Sequence, residues 1–206
     1  MSSHRGHDAS RAAASPADEG LRKLRDAWAA CVHEAGHAVL AVVLGYELGF
    51  SDVSESLEFA ADPAAKASSV PRTGFTRIFQ IGSGALPDIA FAVAGRAAEA
   101  VHGLIKGLAV DQAFDVARWR HSSWGEDDDL KDAHAKALAE VGGSEGEAWT
   151  RVQREYRRTE KLLAARASRA ATLEIASMLM RDGRVPVATI LRVTNDWGIQ
   201  AHGARL

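Results

Sequence analysis

The chain has 206 residues, 47% of them hydrophobic, enough to bury one substantial core and too few for a second full domain of ordinary size. With 25 Lys and Arg against 27 Asp and Glu, the formal net charge is -2, which gives no general attraction to nucleic acid or to an anionic membrane. The one cysteine, Cys31, excludes an internal disulfide and fits a reducing compartment.

Residues 1–15 are rich in Ser, Ala, Arg and His with almost no large apolar side chain, and they read as a disordered N-terminal tail in which His4 and His7 have no scaffold. The remainder, 16–206, reads as one domain. Ser15-Pro16-Ala17-Asp18 predicts a helix start: a serine cap, proline in the first helical position and a carboxylate beside unpaired amides. No breaker follows until Gly45, a C-terminal cap, so a long helix is expected.

Inside that helix stands His33-Glu34-Ala35-Gly36-His37. Residues four apart lie on one helical face, so both imidazoles can reach one metal ion, and two histidines with a glutamate after the first form a zinc-hydrolase signature. Glu34 is turned roughly 100° from His33, off the ligand line but near enough to take a proton from water at the metal. The plain structural alternative is a core helix whose histidines bond neighbouring carbonyls. Gly36 costs such a helix roughly 1 kcal/mol relative to alanine, which a close approach by the metal site or a packed neighbour would explain. Cys31, two positions before His33, points away from the zinc face and is expected as a buried thiol. The apolar run Ala38–Leu44 is far shorter than the ~20 residues that span a bilayer, and no signal peptide is visible, so the expected location is cytoplasmic, with no membrane partner.

From Phe50 to Gly84 the helical period disappears. Residues 74–80, with a weaker candidate at 50–53, predict a small β-sheet beside the zinc helix. An exposed strand edge there could hold an extended peptide by main-chain hydrogen bonds, unless the strands are only a structural hairpin. Residues 86–103 predict a core helix with small side chains on nearly every side, in which Arg96 and Glu99 form a buried or half-buried pair rather than catalytic groups.

One helix supplies two ligands at this spacing, so a third must come from elsewhere. The acidic cluster Glu126-Asp127-Asp128-Asp129, just before a helix over 130–138, is the obvious source, although helix capping accounts for most of it. Glu99, Asp111, Asp115 and His121 are rival third ligands. The last large element opens at Ser144, with Glu147 completing a capping box, and runs towards Gly183. Trp149, Val152, Tyr156, Leu163, Leu173, Ala176 and Met180 mark its buried face. The basic residues Arg151, Arg154, Arg157, Arg158, Lys161, Arg166 and Arg169, with Glu155 and Glu160 interleaved, read as a solvated face rather than a nucleic-acid stripe.

Val32-His33-Glu34-Ala35-Gly36-His37-Ala38-Val39, then Ala94-Gly95-Arg96-Ala97-Ala98-Glu99, then Asp129-Leu130 with Ala133 and Ala137, resembles the peptidase domain of the FtsH-type ATP-dependent zinc metalloproteases. The run 173–180 followed by Ile190 is similar to that domain's closing helices, so the resemblance covers about 29–193. It implies a mainly α (α+β) fold with a small sheet, zinc held by His33, His37 and an aspartate, and Glu34 as general base. The family's aspartate opens a helix and maps onto Asp129, with Asp128 as the fallback. Two departures stand out. No G-x-x-x-x-G-K-[ST] phosphate loop and no membrane anchor is visible in this sequence, so the expectation is a peptidase domain standing alone. The segment 104–125, containing Trp119, His121 and Trp124, is longer than the family pattern.

The resulting expectation is a zinc-dependent metalloendopeptidase of unfolded or flexible polypeptides, ATP-independent by itself. Its partners are a polypeptide substrate and either further copies of itself or a separate unfoldase, with no nucleic acid. The alternative is a non-catalytic regulator or assembly factor that keeps the fold.

Overall fold

The computed structural model describes residues 15–61, 74–79, 89–105 and 128–200. The expected tail before Ser15 and the candidates Asp111, Asp115, His121, Glu126 and Asp127, with Trp119 and Trp124, lie outside the described residues. The protein is mostly helical with one small antiparallel sheet, as expected.

Helix α1 (Pro16–Leu44) starts and stops where its sequence says it should. The Ser15 hydroxyl accepts from the Asp18 amide at 3.2 Å, and the Asp18 carboxylate accepts from the Ser15 amide at 3.2 Å, closing a capping box. At the other end Gly45 takes φ 76°, a conformation that glycine adopts without penalty, and its amide bonds the last carbonyls. From Ala27 onward nearly every side of α1 is buried. Val32, Val39 and Leu40 are wholly inaccessible, each such side chain stabilising the fold by roughly 1.5–3 kcal/mol. The short apolar run expected at 38–44 therefore understates this helix. By length and composition α1 could cross a membrane, and 83% of its most apolar window is buried inside the fold.

The cover comes from elements that follow α1 in the chain. After α1 follow β1 (Glu47–Asp52), α2 (Ser54–Ala61), β2 (Phe75–Phe79), α3 (Ile89–Ala92) and α4 (Ala94–Val101). Then come α5 (Asp128–Glu140), α6 (Glu145–Ala164), α7 (Arg166–Asp182), β3 (Arg184–Pro186) and α8 (Val187–Asp196). Helices α7 and α4 pack most extensively on α1, and α5 docks on α6 and α3 through Leu130, Ala133 and Ala137, all wholly buried.

Both expected strands form, and β3 is a third that the sequence reading missed. The order is β2-β1-β3, both pairings antiparallel. The β1–β2 register shifts between Leu48 and Phe50. That extra residue breaks the two-residue alternation, so Leu48 and Ser51, three apart, are both buried. Ser51 thereby faces Thr76 directly across the ladder.

Three expectations about helices are corrected. The segment expected as one helix over 86–103 is two, α3 and α4, interrupted at Val93; residues 86–88 lie outside the described set. The last element is also two helices, because Ala165 at φ -57° and ψ 140° leaves the helical conformation. The break resets the phase of the buried face, leaving Leu173 38% exposed while Ala171, Ile175 and Leu179 fill the core. The capping box at Ser144 does not form: its ψ of 105°, against 156° at Ser15, leaves the hydroxyl without a bond to the helix. On α6, Arg154, Arg157, Arg158 and Lys161 are exposed, as a solvated face requires. Glu155 is buried and bonded to Arg151.

Candidate metal centre

Residues on α1, α4 and α5 meet at one point. On α1, His33 and His37 project from the same face, and their Nε2 atoms lie 3.2 Å apart. The first turn of α5 supplies Asp129, whose Oδ2 is 2.8 Å from His33 Nε2 and 3.1 Å from His37 Nε2. Of the third-ligand candidates raised by the sequence, Asp129 joins the two histidines. The Asp128 side chain lies outside the description, although its backbone opens α5.

Glu99 takes a different position. Its Oε1 is 2.8 Å from His33 Nδ1, the nitrogen turned away from the cluster, and its Oε2 is 3.7 Å from Arg96. The buried Arg96–Glu99 pair is present as expected, but its carboxylate also fixes an imidazole. With Nδ1–H donated to Glu99, His33 presents its lone pair at Nε2. His33 Nε2, His37 Nε2 and Asp129 Oδ2 thus converge within 3.2 Å, a spacing at which protons or a cation must lie between them.

The donor set fits zinc. Two imidazole nitrogens and one carboxylate oxygen are ligands that zinc accepts, and a tetrahedral shell with bonds of 2.0–2.1 Å separates neighbouring ligands by about 3.3 Å. The observed separations of 2.8–3.2 Å come close to that edge length. His37 Nδ1 is buried without a hydrogen-bond partner among the described residues. Its ring instead packs against Phe91, centroids 4.8 Å apart, so packing holds this second imidazole.

Glycines make the close approach feasible. A Cβ on Gly36 would come within 2.4 Å of the Ala98 Cβ, so α4 crosses α1 at a point that admits no side chain. The packed neighbour that Gly36 implied is thus α4. One turn away a Cβ on Gly95 would enter the His33 ring at 2.3 Å, and Glu99 follows on the same face of α4.

Glu34 points towards the sheet side of α1. Its Oε2 is 3.0 Å from the Thr76 hydroxyl, which also lies 2.9 Å from the Glu34 carbonyl, and Ser51 Oγ is 2.9 Å from that hydroxyl. A Cβ on Gly74 would lie 2.7 Å from Glu34 Cγ, so the carboxylate occupies space that any side chain there would fill.

The electrostatics follow from burial and these contacts. Burial disfavours charge on His33, but the Asp129 and Glu99 carboxylates outweigh it and raise its pKa well above the ordinary imidazole value. Asp129 is also desolvated, yet the hydrogen bonds of His33 and His37 hold its carboxyl below the usual range. Burial raises the Glu34 pKa, against the lowering effects of His33, His37 and the Thr76 hydroxyl. Burial, reinforced by the Glu34 charge, pushes the Cys31 thiol up to about 12, consistent with an inert core side chain 3.9 Å from Met180 Sδ.

The sequence did not point to roles at the site for Thr76, Ser51, Gly74 and Gly95, and it pointed to Glu99 as the partner of Arg96 or a rival metal ligand rather than the partner of His33. Gly95 and Glu99 stand four apart on a helix, a spacing that puts them on one face, and that was the one local signal available. Compared with known proteins, the chain matches no family model and no curated protein.

Proposed function

We propose that this chain is a zinc-dependent metalloendopeptidase that hydrolyses peptide bonds in unfolded or flexible polypeptides, related to the peptidase domain of the FtsH-type proteases and acting without ATP. The observation that carries the reading is the convergence of His33, His37 and Asp129 beside a buried glutamate on the same helix.

His33, His37 and Asp129 would hold the metal, with Glu99 fixing the tautomer and tilt of His33. Zinc bound there supplies Lewis acidity, which polarises a carbonyl and lowers the pKa of a neighbouring water. Glu34 then does the proton work: its carboxylate accepts a proton from the attacking water and returns it to the departing amide nitrogen. Buried next to the ligand His33 and hydrogen-bonded by Thr76, the Glu34 carboxylate is held in place for both transfers.

β2 bears on substrate choice. Among the described residues it pairs only with β1, and it carries the Thr76 that touches Glu34. A strand edge beside the base can take an extended segment through main-chain hydrogen bonds, which favours substrates whose backbone is free. A cytoplasmic setting, with either self-association or a separate unfoldase delivering substrate, belongs to the same proposal.

The test is metal analysis paired with cleavage of a denatured protein. Wild type should carry one zinc per chain and cut. Glu34→Gln should keep the zinc and the melting temperature and lose roughly a thousand-fold or more in rate. Wild-type protein that holds zinc and leaves the denatured substrate intact would favour a non-catalytic regulator instead.

A further inference from the structure

The Glu34 carboxylate is held from the sheet rather than from its own helix. Thr76 sits on β2 with its side chain towards α1, flanked by the exposed Phe75 and Arg77. Its hydroxyl lies within 3.0 Å of three oxygens: the Glu34 carbonyl, Glu34 Oε2 and Ser51 Oγ. A hydroxyl has one proton to donate and two lone pairs to accept with. The Glu34 carbonyl is within a helix, where the amide four residues on already serves it, whereas the carboxylate is the stronger acceptor. The Thr76 proton is therefore shared between the two Glu34 oxygens with the carboxylate as the stronger acceptor, and Ser51, wholly buried and directly across the ladder, donates its own proton to Thr76. Gly74 completes the arrangement by leaving open the volume that Glu34 fills.

We propose that Thr76 is a positioning residue for Glu34, its hydroxyl oriented by Ser51 so that the edge strand β2 fixes the carboxylate at the metal centre. This rests on the peptidase reading for its effect on catalysis, but the geometry it claims can be measured without activity. A glutamate side chain has three rotatable bonds, and losing the one side-chain hydrogen bond it makes among the described residues lets the carboxylate leave the productive orientation. The strand that would receive substrate thereby also aligns the base.

Thr76→Val removes the hydroxyl at nearly constant shape, and Thr76→Ser keeps it. Crystal structures of the zinc-loaded wild type and both variants should show Glu34 in one orientation in wild type and Thr76→Ser, and displaced or split in Thr76→Val. Zinc content should stay near wild type in both, while the melting temperature should hold in Thr76→Ser and fall by a few degrees in Thr76→Val, which leaves the buried Ser51 hydroxyl without its partner. On an unfolded substrate, kcat should fall about ten-fold or more in Thr76→Val with KM unchanged, and recover in Thr76→Ser, the scale of a lost hydrogen bond to a charged group. Glu34 unmoved in Thr76→Val overturns the proposal whatever the activity. An ordered Glu34 that Thr76→Val displaces, in a wild-type protein that cuts nothing, supports the positioning role and removes the peptidase reading alone.

Discussion

Replacing Gly95 with alanine sets two effects of opposite sign against each other. Gly95 lies inside α4, and by helix propensity alone the change should stabilise the protein by roughly 0.5–1 kcal/mol. The site dictates the reverse. The new methyl would stand 2.3 Å from His33 Nε2 and 2.4 Å from two ring carbons, while ordinary contact starts at 3.4 Å, so the ring must retreat by about 1 Å. Glu99 and Asp129 grip its two nitrogens at 2.8 Å each, and withdrawal breaks at least one of these contacts. Moving α4 away instead would open a void where Ala98 packs against Gly36. Overpacking of this kind costs about 1–3 kcal/mol, so the net should be a loss and a melting temperature lower by a few degrees. A displacement of about 1 Å is several times the roughly 0.2 Å that metal–ligand bonds tolerate, so zinc affinity should fall by about 10–100-fold or more. The assay is competition for zinc against a chromogenic chelator, with thermal melts alongside. Gly20→Ala is the control: it is exposed on α1 with nothing within 4 Å, and should raise the melting temperature slightly without touching zinc. If Gly95→Ala behaves like Gly20→Ala, binding zinc normally and melting higher, the packing of α4 against His33 is refuted.

The ligand assignment predicts that Asp129→Ala loses zinc far more readily than Asp127→Ala; equal retention in a dialysis series would move the third ligand away from Asp129. In the metal-free protein the stabilising contributions of Asp129 and His33 should both be fully present between about pH 4 and 6.5. Asp129, with its pKa lowered on folding, contributes stability that is present above about pH 4 and lost as the pH falls. His33, with its pKa raised, contributes stability that is present below about pH 6.5 and lost as the pH climbs through its folded value, so melts of chelated protein from pH 4 to 9 should decline at the alkaline end. Saturating zinc should reverse that alkaline trend, because the metal competes with protons for the same imidazoles. Cleavage should need no nucleotide: a disordered chain should be cut and a stable folded domain spared. Digestion of the folded domain only when ATP is added would expose a nucleotide-driven step that this reading lacks.

Local signals sufficed for some of this protein because the physics behind them is local. The Ser15 cap, the Gly45 turn, and the separation of four that turns His33 and His37 to one face all operate within one or two turns of a helix, and each is legible without knowing the fold. The strand around 75–79 follows from its own alternation in the same way. Tertiary packing decided the rest. Nothing in the helix-forming run around Ala165 marks a break, since no glycine or proline stands there. Ser144 and Glu147 spell a capping box that the entry angle of the chain prevents. Asp129 becomes the partner of His33 only because Leu130, Ala133 and Ala137 dock α5 onto the core at the right height. Glu99 reaches the far side of His33 only because Gly36 and Gly95 let α4 lie against α1. Thr76 reaches Glu34 across 42 positions of sequence, on a strand whose register with Ser51 depends on a bulge. A separation of four along a helix can be counted in a sequence, whereas the meeting of three helices and a strand depends on how their side chains fill the space between them.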